Sequence, residues 1–100
     1  MKKLLTSLQR RQLMKMAQQL DPVVMLGKAG MTDALVSACN AALDSHELVK
    51  LRFQTFKDER RTLAEQIAEQ TGATLVQLIG NIVVLYREQP DPEKRRLHLE

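Results

Sequence analysis

The residues best suited to chemistry in this 100-residue chain are a glycine-bounded turn and a set of bases. Gly27-Lys28-Ala29-Gly30 has two positions without Cβ, where a chain can turn sharply and another backbone can come close. Lys28 adds a flexible point charge at its tip. The turn falls between an apolar run and a helix start, where free N–H groups and a positive dipole end favour an anion. The same spacing also suits an ordinary tight turn. Bases concentrate nearby: residues 1–30 carry six Lys or Arg (Lys2, Lys3, Arg10, Arg11, Lys15 and Lys28) against one acid, Asp21. Residues 31–100 carry nine bases and eleven acids. Such asymmetry suits an anionic partner, nucleic acid ahead of a membrane surface, or simply a solvated helix face. Tyr86-Arg87 has the chemistry of a stacking and phosphate-contact pair. A ring packed at a strand end beside a solvated guanidinium would read the same way.

Catalytic and metal-binding patterns are poor. One cysteine excludes an internal disulfide and a multi-cysteine metal site, and His46 and His98 lie far apart. Cys39 falls on an apolar helical stripe, which suits a packing thiol. His46 stands at a helix end, where it complements the dipole. Asp58-Glu59 and Glu65/Glu69 are surface charges without a second cluster. The third glycine of a dinucleotide fingerprint is missing, as is the P-loop pattern. No enzyme, cofactor, metal or small-molecule substrate is therefore expected.

The elements that must position the turn can be read from periodicity. Residues 7–20 form a helix with Leu13, Met16, Ala17 and Leu20 on one stripe, extended by Leu5, and with Arg11 and Lys15 opposite. Asp21-Pro22 ends it. Residues 23–26 are wholly apolar, consistent with a strand buried on both faces. Thr32 caps a second helix, with Asp33 in its first turn and Leu35, Ala38, Cys39, Ala42 and Leu43 facing inward. Residues 48–54 alternate, Val49, Leu51 and Phe53 against Lys50, Arg52 and Gln54. Asp58 is the expected cap of a third helix that buries Leu63, Ala64, Ile67 and Ala68 and stops at Gly72. Residues 74–79 and 82–86 form a hairpin about Gly80-Asn81. From Glu88, with Pro90 and Pro92, a polar, mobile tail is expected.

The order α-β-α-β-α-β-β predicts a two-layer α+β domain with a four-stranded mixed sheet over residues 1–88 and a tail at 89–100. The apolar fraction of 44% supports a packed aliphatic core, since there are only three aromatic residues. No apolar run reaches the roughly 18–20 residues of a membrane span. Arg10-Arg11 follow the opening Leu4-Leu5 too soon for a signal peptide. A cytoplasmic protein is the default expectation.

The chain resembles the CRM domain family (chloroplast RNA splicing and ribosome maturation), in its free-standing bacterial YhbY form. The resemblance rests on residues 20–32, from Leu20-Asp21-Pro22 through Gly27-Lys28-Ala29-Gly30-Met31-Thr32. It continues in His46-Glu47-Leu48-Val49-Lys50, Thr71-Gly72-Ala73, Val76-Gln77-Leu78-Ile79-Gly80 and Leu85-Tyr86-Arg87. It implies a fold like the C-terminal domain of translation initiation factor three, with sheet order 1-2-4-3 and the last strand antiparallel. It also implies RNA binding without catalysis, directed at the precursor of the large ribosomal subunit and its rRNA. The family's loop motif maps onto Gly27, Lys28, Ala29 and Gly30. Ala29 stands where a second base is common, and Asp21 precedes the proline where lysine is frequent. Both departures shift expected phosphate contact onto the first helix.

The resulting expectation is a monomer that clamps an RNA backbone with the Gly27–Gly30 loop, as in KH-type modules. Arg10, Arg11, Lys15, Lys2 and Lys3 supply the field. Tyr86 and Arg87 contribute contacts, and Lys50 and Arg52 join if the sheet's second face lies on that side. The rival is a module whose basic face meets an acidic protein.

Overall fold

Two strands with apolar side chains on both faces organise the molecule, whose computed structural model describes residues 4–55 and 57–100. In β4 (Ile82–Tyr86) alternate residues enter different cores, and in β2 (Leu48–Phe53) Leu48 enters the second core while Lys50 and Arg52 on the same face do not. Val49, Leu51, Phe53, Val83 and Leu85 join one cluster, and Leu48, Val84 and Tyr86 join another. Period-two alternation sends successive side chains to opposite faces, so these central strands need cover on both sides. β1 (Val24–Leu26) runs parallel to β2, and β3 (Thr74–Ile79) runs antiparallel to β4, giving the order β1-β2-β4-β3. This is the mixed α+β sheet expected, with β4 antiparallel to both its neighbours.

The helices, however, occupy both faces rather than one. α2 (Asp33–His46) and α3 (Arg60–Thr71) pack Leu35, Cys39, Leu43, Ala64, Ile67 and Ala68 against the first core. α1 (Ser7–Ala17) packs Leu13 and Ala17 against the second, adding a third layer. α1 begins with a capping box: Thr6 Oγ1 accepts from the Gln9 N–H at 3.0 Å, and the Thr6 N–H donates to Gln9 Oε1 at 3.1 Å. It ends at Ala17, three residues before the expected Leu20. The chain tightens there into successive three-residue turns, with the N–H groups of Gln18, Gln19 and Leu20 donating to Lys15, Met16 and Ala17 carbonyls. That tightening moves Leu20 off the stripe, and it is 38% exposed. β1 is consequently uncovered on the α1 side: Val23 is 56% and Met25 45% exposed, so the apolar run is not buried on both faces.

Thr32 caps α2 as expected, its Oγ1 accepting from the Leu35 N–H at 3.0 Å. Leu35, Cys39 and Leu43 are buried, while Ala38 is exposed and Ala42 only partly buried. Asp58 does not cap α3: Lys57–Glu59 forms a 3-10 turn and Glu59 takes the cap position without a side-chain bond. A 3-10 turn already directs the chain into the helix, so Asp58 lies a residue too early. Leu63 is partly buried and packs at the core's margin. The hairpin turns at Gly80, whose φ of 56° lies in the region glycine adopts without penalty.

The segment after β4 folds back on the α1 side. Leu97 and Leu99 pack against the second core, and Asp91 starts a short turn at Pro92–Lys94. The anchor is Glu47, 1% exposed, just after α2. Its carboxylate accepts the backbone N–H groups of Gln89 (2.9 Å), Arg96 (2.5 Å) and Leu97 (3.1 Å). A buried carboxylate is tolerated only when so satisfied. Glu47 also holds a left-handed φ of 62°, uncommon for a residue with Cβ. The polarity of residues 88–100 therefore hides a packed segment.

Candidate nucleic-acid interface

The Gly27–Gly30 turn leaves β1 at the sheet's free edge and enters α2. It closes on itself, the Gly30 N–H donating to the Gly27 carbonyl at 3.0 Å. Gly30 has φ 68°, so a Cβ there would strain the turn by about 1–2 kcal/mol. Gly27 is different: a Cβ would lie 3.7 Å from Gln54 Oε1, an ordinary contact. A small side chain would therefore fit at Gly27, with the Gln54 amide as its neighbour. Lys28 and Ala29 are exposed at the tip. Below the turn, Val23, Met25, Gly27, Gly30, Thr32 and Leu35 contribute to an open groove of about 340 Å³ between β1 and α2. Asp33 is exposed in the first turn of α2 and offsets part of the helix's attraction for an anion.

The bases sort into those in use and those exposed. Arg10 is in use: its Nη1 donates to the Leu75 carbonyl at 3.0 Å and the Val76 carbonyl at 2.5 Å, where β3 bulges between Leu75 and Gln77. Arg87 is in use more fully. Its two terminal nitrogens donate to Asn40 Oδ1 (2.7 Å), the Asn40 carbonyl (3.1 Å), the Thr71 carbonyl (2.6 Å) and Asp44 Oδ1 (2.7 Å). It thereby ties β4 to α2 and α3. Tyr86 is 1% exposed beneath α1. Burial first, then the nearby Glu88 and Glu47 carboxylates, push its phenol up to about 12. Its face is not open to a base, so Tyr86 and Arg87 serve packing and not a stacking pair. Lys50 Nζ donates to the Leu20 carbonyl at 2.9 Å and closes the end of the α1 turn.

Arg11, Lys15 and Arg52 are exposed. Arg52 is opposite Met25 in the β1–β2 register, two residues from Gly27. Lys50 and Arg52 point to the α1 side of the sheet, the face of Leu48, whereas the loop leads into α2 on the other side. The edge of β1 is where the two sides meet. Lys2 and Lys3 lie outside the described residues.

Sequence reasoning missed the half-exposed apolar residues Leu20, Val23 and Met25. No local signal marks them, since an apolar run looks the same whether one face or two are covered. It also missed Arg60, whose Nη1 donates to the Gly80 carbonyl at 2.5 Å and Asn81 Oδ1 at 3.1 Å and so braces the hairpin.

The site carries little acid–base or metal chemistry. Among the described residues, no group of three or more His, Cys, Asp or Glu could hold a metal ion. Cys39 is buried, and desolvation pushes its thiol up to about 11, away from the reactive thiolate. His46 is exposed at the end of α2. Among the described residues, no helix is long and apolar enough to cross a membrane.

Comparison with known proteins agrees with this architecture. YqeI of Bacillus subtilis, named for an expected RNA-binding activity, is 33% identical over 95 residues, covering 94% of this chain and 99% of its own. A Haemophilus influenzae protein named as RNA-binding is 37% identical over 84 residues, 83% of this chain and 85% of its own. The solution structure of a Staphylococcus aureus protein proposed to bind RNA matches with a TM-score of 0.77 at 33% identity, covering 95% of this chain and all of that one. The model of the CRS1/YhbY (CRM) domain matches residues 5–87, the whole of the sheet and its three helices. By sequence and by fold, this chain belongs to the CRS1/YhbY (CRM) domain family.

Proposed function

We propose that this protein binds RNA, and that its target is rRNA in the precursor of the large ribosomal subunit. The observation that carries the reading is the Gly27–Gly30 turn: internally bonded, with Lys28 and Ala29 exposed at its tip beside an open groove. A sugar-phosphate backbone can approach the exposed tip at Lys28 and Ala29, and Lys28 can neutralise a phosphate there. Arg52, on the same side of the sheet as α1, and Arg11 and Lys15 on α1 itself, supply further exposed charge. The relatives named for RNA binding give the polyanion its identity. No bond is made or broken in this reading, and the protein acts as a cytoplasmic monomer.

Sedimentation of the tagged protein through a sucrose gradient tests it. Co-migration with large-subunit precursors that ribonuclease abolishes is the expected outcome. Co-migration with a protein that survives ribonuclease would replace RNA by an acidic protein partner.

A further inference from the structure

Beyond the loop, a second cavity of about 340 Å³ opens on the α1 side, walled by Met16, Leu20, Val23, Leu48 and Leu97. Its rim carries Asp21, His46, Lys50 and Arg96. This is the lower end of the roughly 300–1,000 Å³ typical of small-ligand pockets, with room for one flat ring system. Val23 lines both this cavity and the groove below the Gly27–Gly30 turn, and Met25 continues the groove. Leu20, Val23 and Met25, between 38% and 56% exposed, form an apolar strip along the free edge of β1 joining the two depressions. Cations border the strip: Lys28 at one end, Arg52 beside Met25, and Arg96 at the other end.

We infer that this strip is a track for single-stranded RNA, and that the cavity between α1 and the C-terminal segment takes one unstacked base. The inference rests on the RNA-binding reading and deepens it. Apolar walls remove a base face from water, and flanking cations match the phosphates on either side. Asp21 places a hydrogen-bond acceptor at the rim, where a base edge has N–H donors and a phosphate has none. A duplex keeps its base faces stacked inside and has nothing to offer these walls. Arg96 and Leu97 thereby become binding residues, held in place by the Glu47 carboxylate on their backbone N–H groups. The cations bordering the strip favour RNA over an apolar peptide.

The test uses the full chain, a labelled oligouridine and a hairpin duplex of equal length, with anisotropy as readout. The wild type should bind the single strand more tightly at matched salt. The double variant Leu20→Ser/Val23→Ser keeps every charge, so single-strand affinity should fall roughly tenfold, the worth of about one buried aliphatic contact. Its salt slope and duplex affinity should not change. Equal binding of both RNAs by the wild type would overturn the track. Single-strand binding that weakens with Lys28→Ala but ignores the serine pair would leave RNA binding standing and remove the cavity. Absence of all RNA binding would remove both. A ribonuclease-resistant protein partner lost only in the serine pair, with oligouridine affinity unchanged, would assign the surface to protein and overturn the inference. Photo-crosslinking of the wild type with a 4-thiouridine oligomer does not depend on any variant folding. Crosslinks are expected in peptides containing Leu20–Met25 and Arg96–Leu97, and crosslinks confined to α1's outer face would overturn the proposal.

Discussion

The two edges of the sheet have opposite fates. The β3 edge is bulged at Val76, and the Arg10 guanidinium covers two of its carbonyls. α1 lies across β2, β4 and β3 but not β1, with Leu13 fully buried. The β1 edge has no such cover, and its side chains at Val23 and Met25 stand in water. Unpaired edges attract other strands, and bulges and charges are common ways to blunt them. Here β1 is blunted only by being three residues long. One edge is used for stability, and the other is left available for a partner.

Substitutions on the two sides should therefore differ in kind as well as size. Leu13→Ala should produce the largest effect, a loss of about 2–5 kcal/mol in unfolding free energy. Leu20→Ala, in the turn that follows this helix on the β1 side, should cost well under half of that by denaturant titration. A similar loss at both positions would erase the contrast. Arg10→Ala should destabilise by about 1–3 kcal/mol, because the bulge carbonyls lose their donor. Arg11→Ala, one residue away and exposed, should stay within about 0.5 kcal/mol and reduce RNA affinity instead.

The loop divides in the same way at a smaller scale. Gly30→Ala should lower the melting temperature through about 1–2 kcal/mol of backbone strain. Gly27→Ala should leave the melt unchanged within about 0.5 kcal/mol yet weaken RNA binding. An unaltered affinity for Gly27→Ala would make the turn purely structural. Lys28→Ala should have the smallest effect, lowering the slope of log affinity against log salt by about 0.7 for a single strand. A slope unmoved by Lys28→Ala would separate that lysine from any phosphate.

Local sequence carried the elements whose logic is local. Thr32 with Asp33 announced α2, Gly80-Asn81 announced the hairpin, and alternation announced β2. The 1-2-4-3 sheet order followed from family resemblance rather than from periodicity. What escaped depends on partners distant in sequence. Arg10 lies 65 residues from the carbonyl it serves, and nothing around it distinguishes it from Arg11. Arg87 had the chemistry of a phosphate ligand until Asn40 and Asp44 occupied it. Whether β1 is covered on its second face is decided by where α1 stops, three residues short of the proline's own prohibition. The polar composition of residues 88–100 concealed Leu97 and Leu99, because two apolar side chains among acids and bases do not make a period.

Glu47 sets an order in time on the making of this protein. Synthesis delivers the whole sheet and all three helices before the N–H groups of residues 89, 96 and 97 exist to meet the carboxylate. Until then a charge destined for burial must stay hydrated, and the end of α2 with the start of β2 must remain open to water around it. The wall formed by Leu97 is thus completed last, so a nascent chain carries its glycine turn well before it carries a finished cavity.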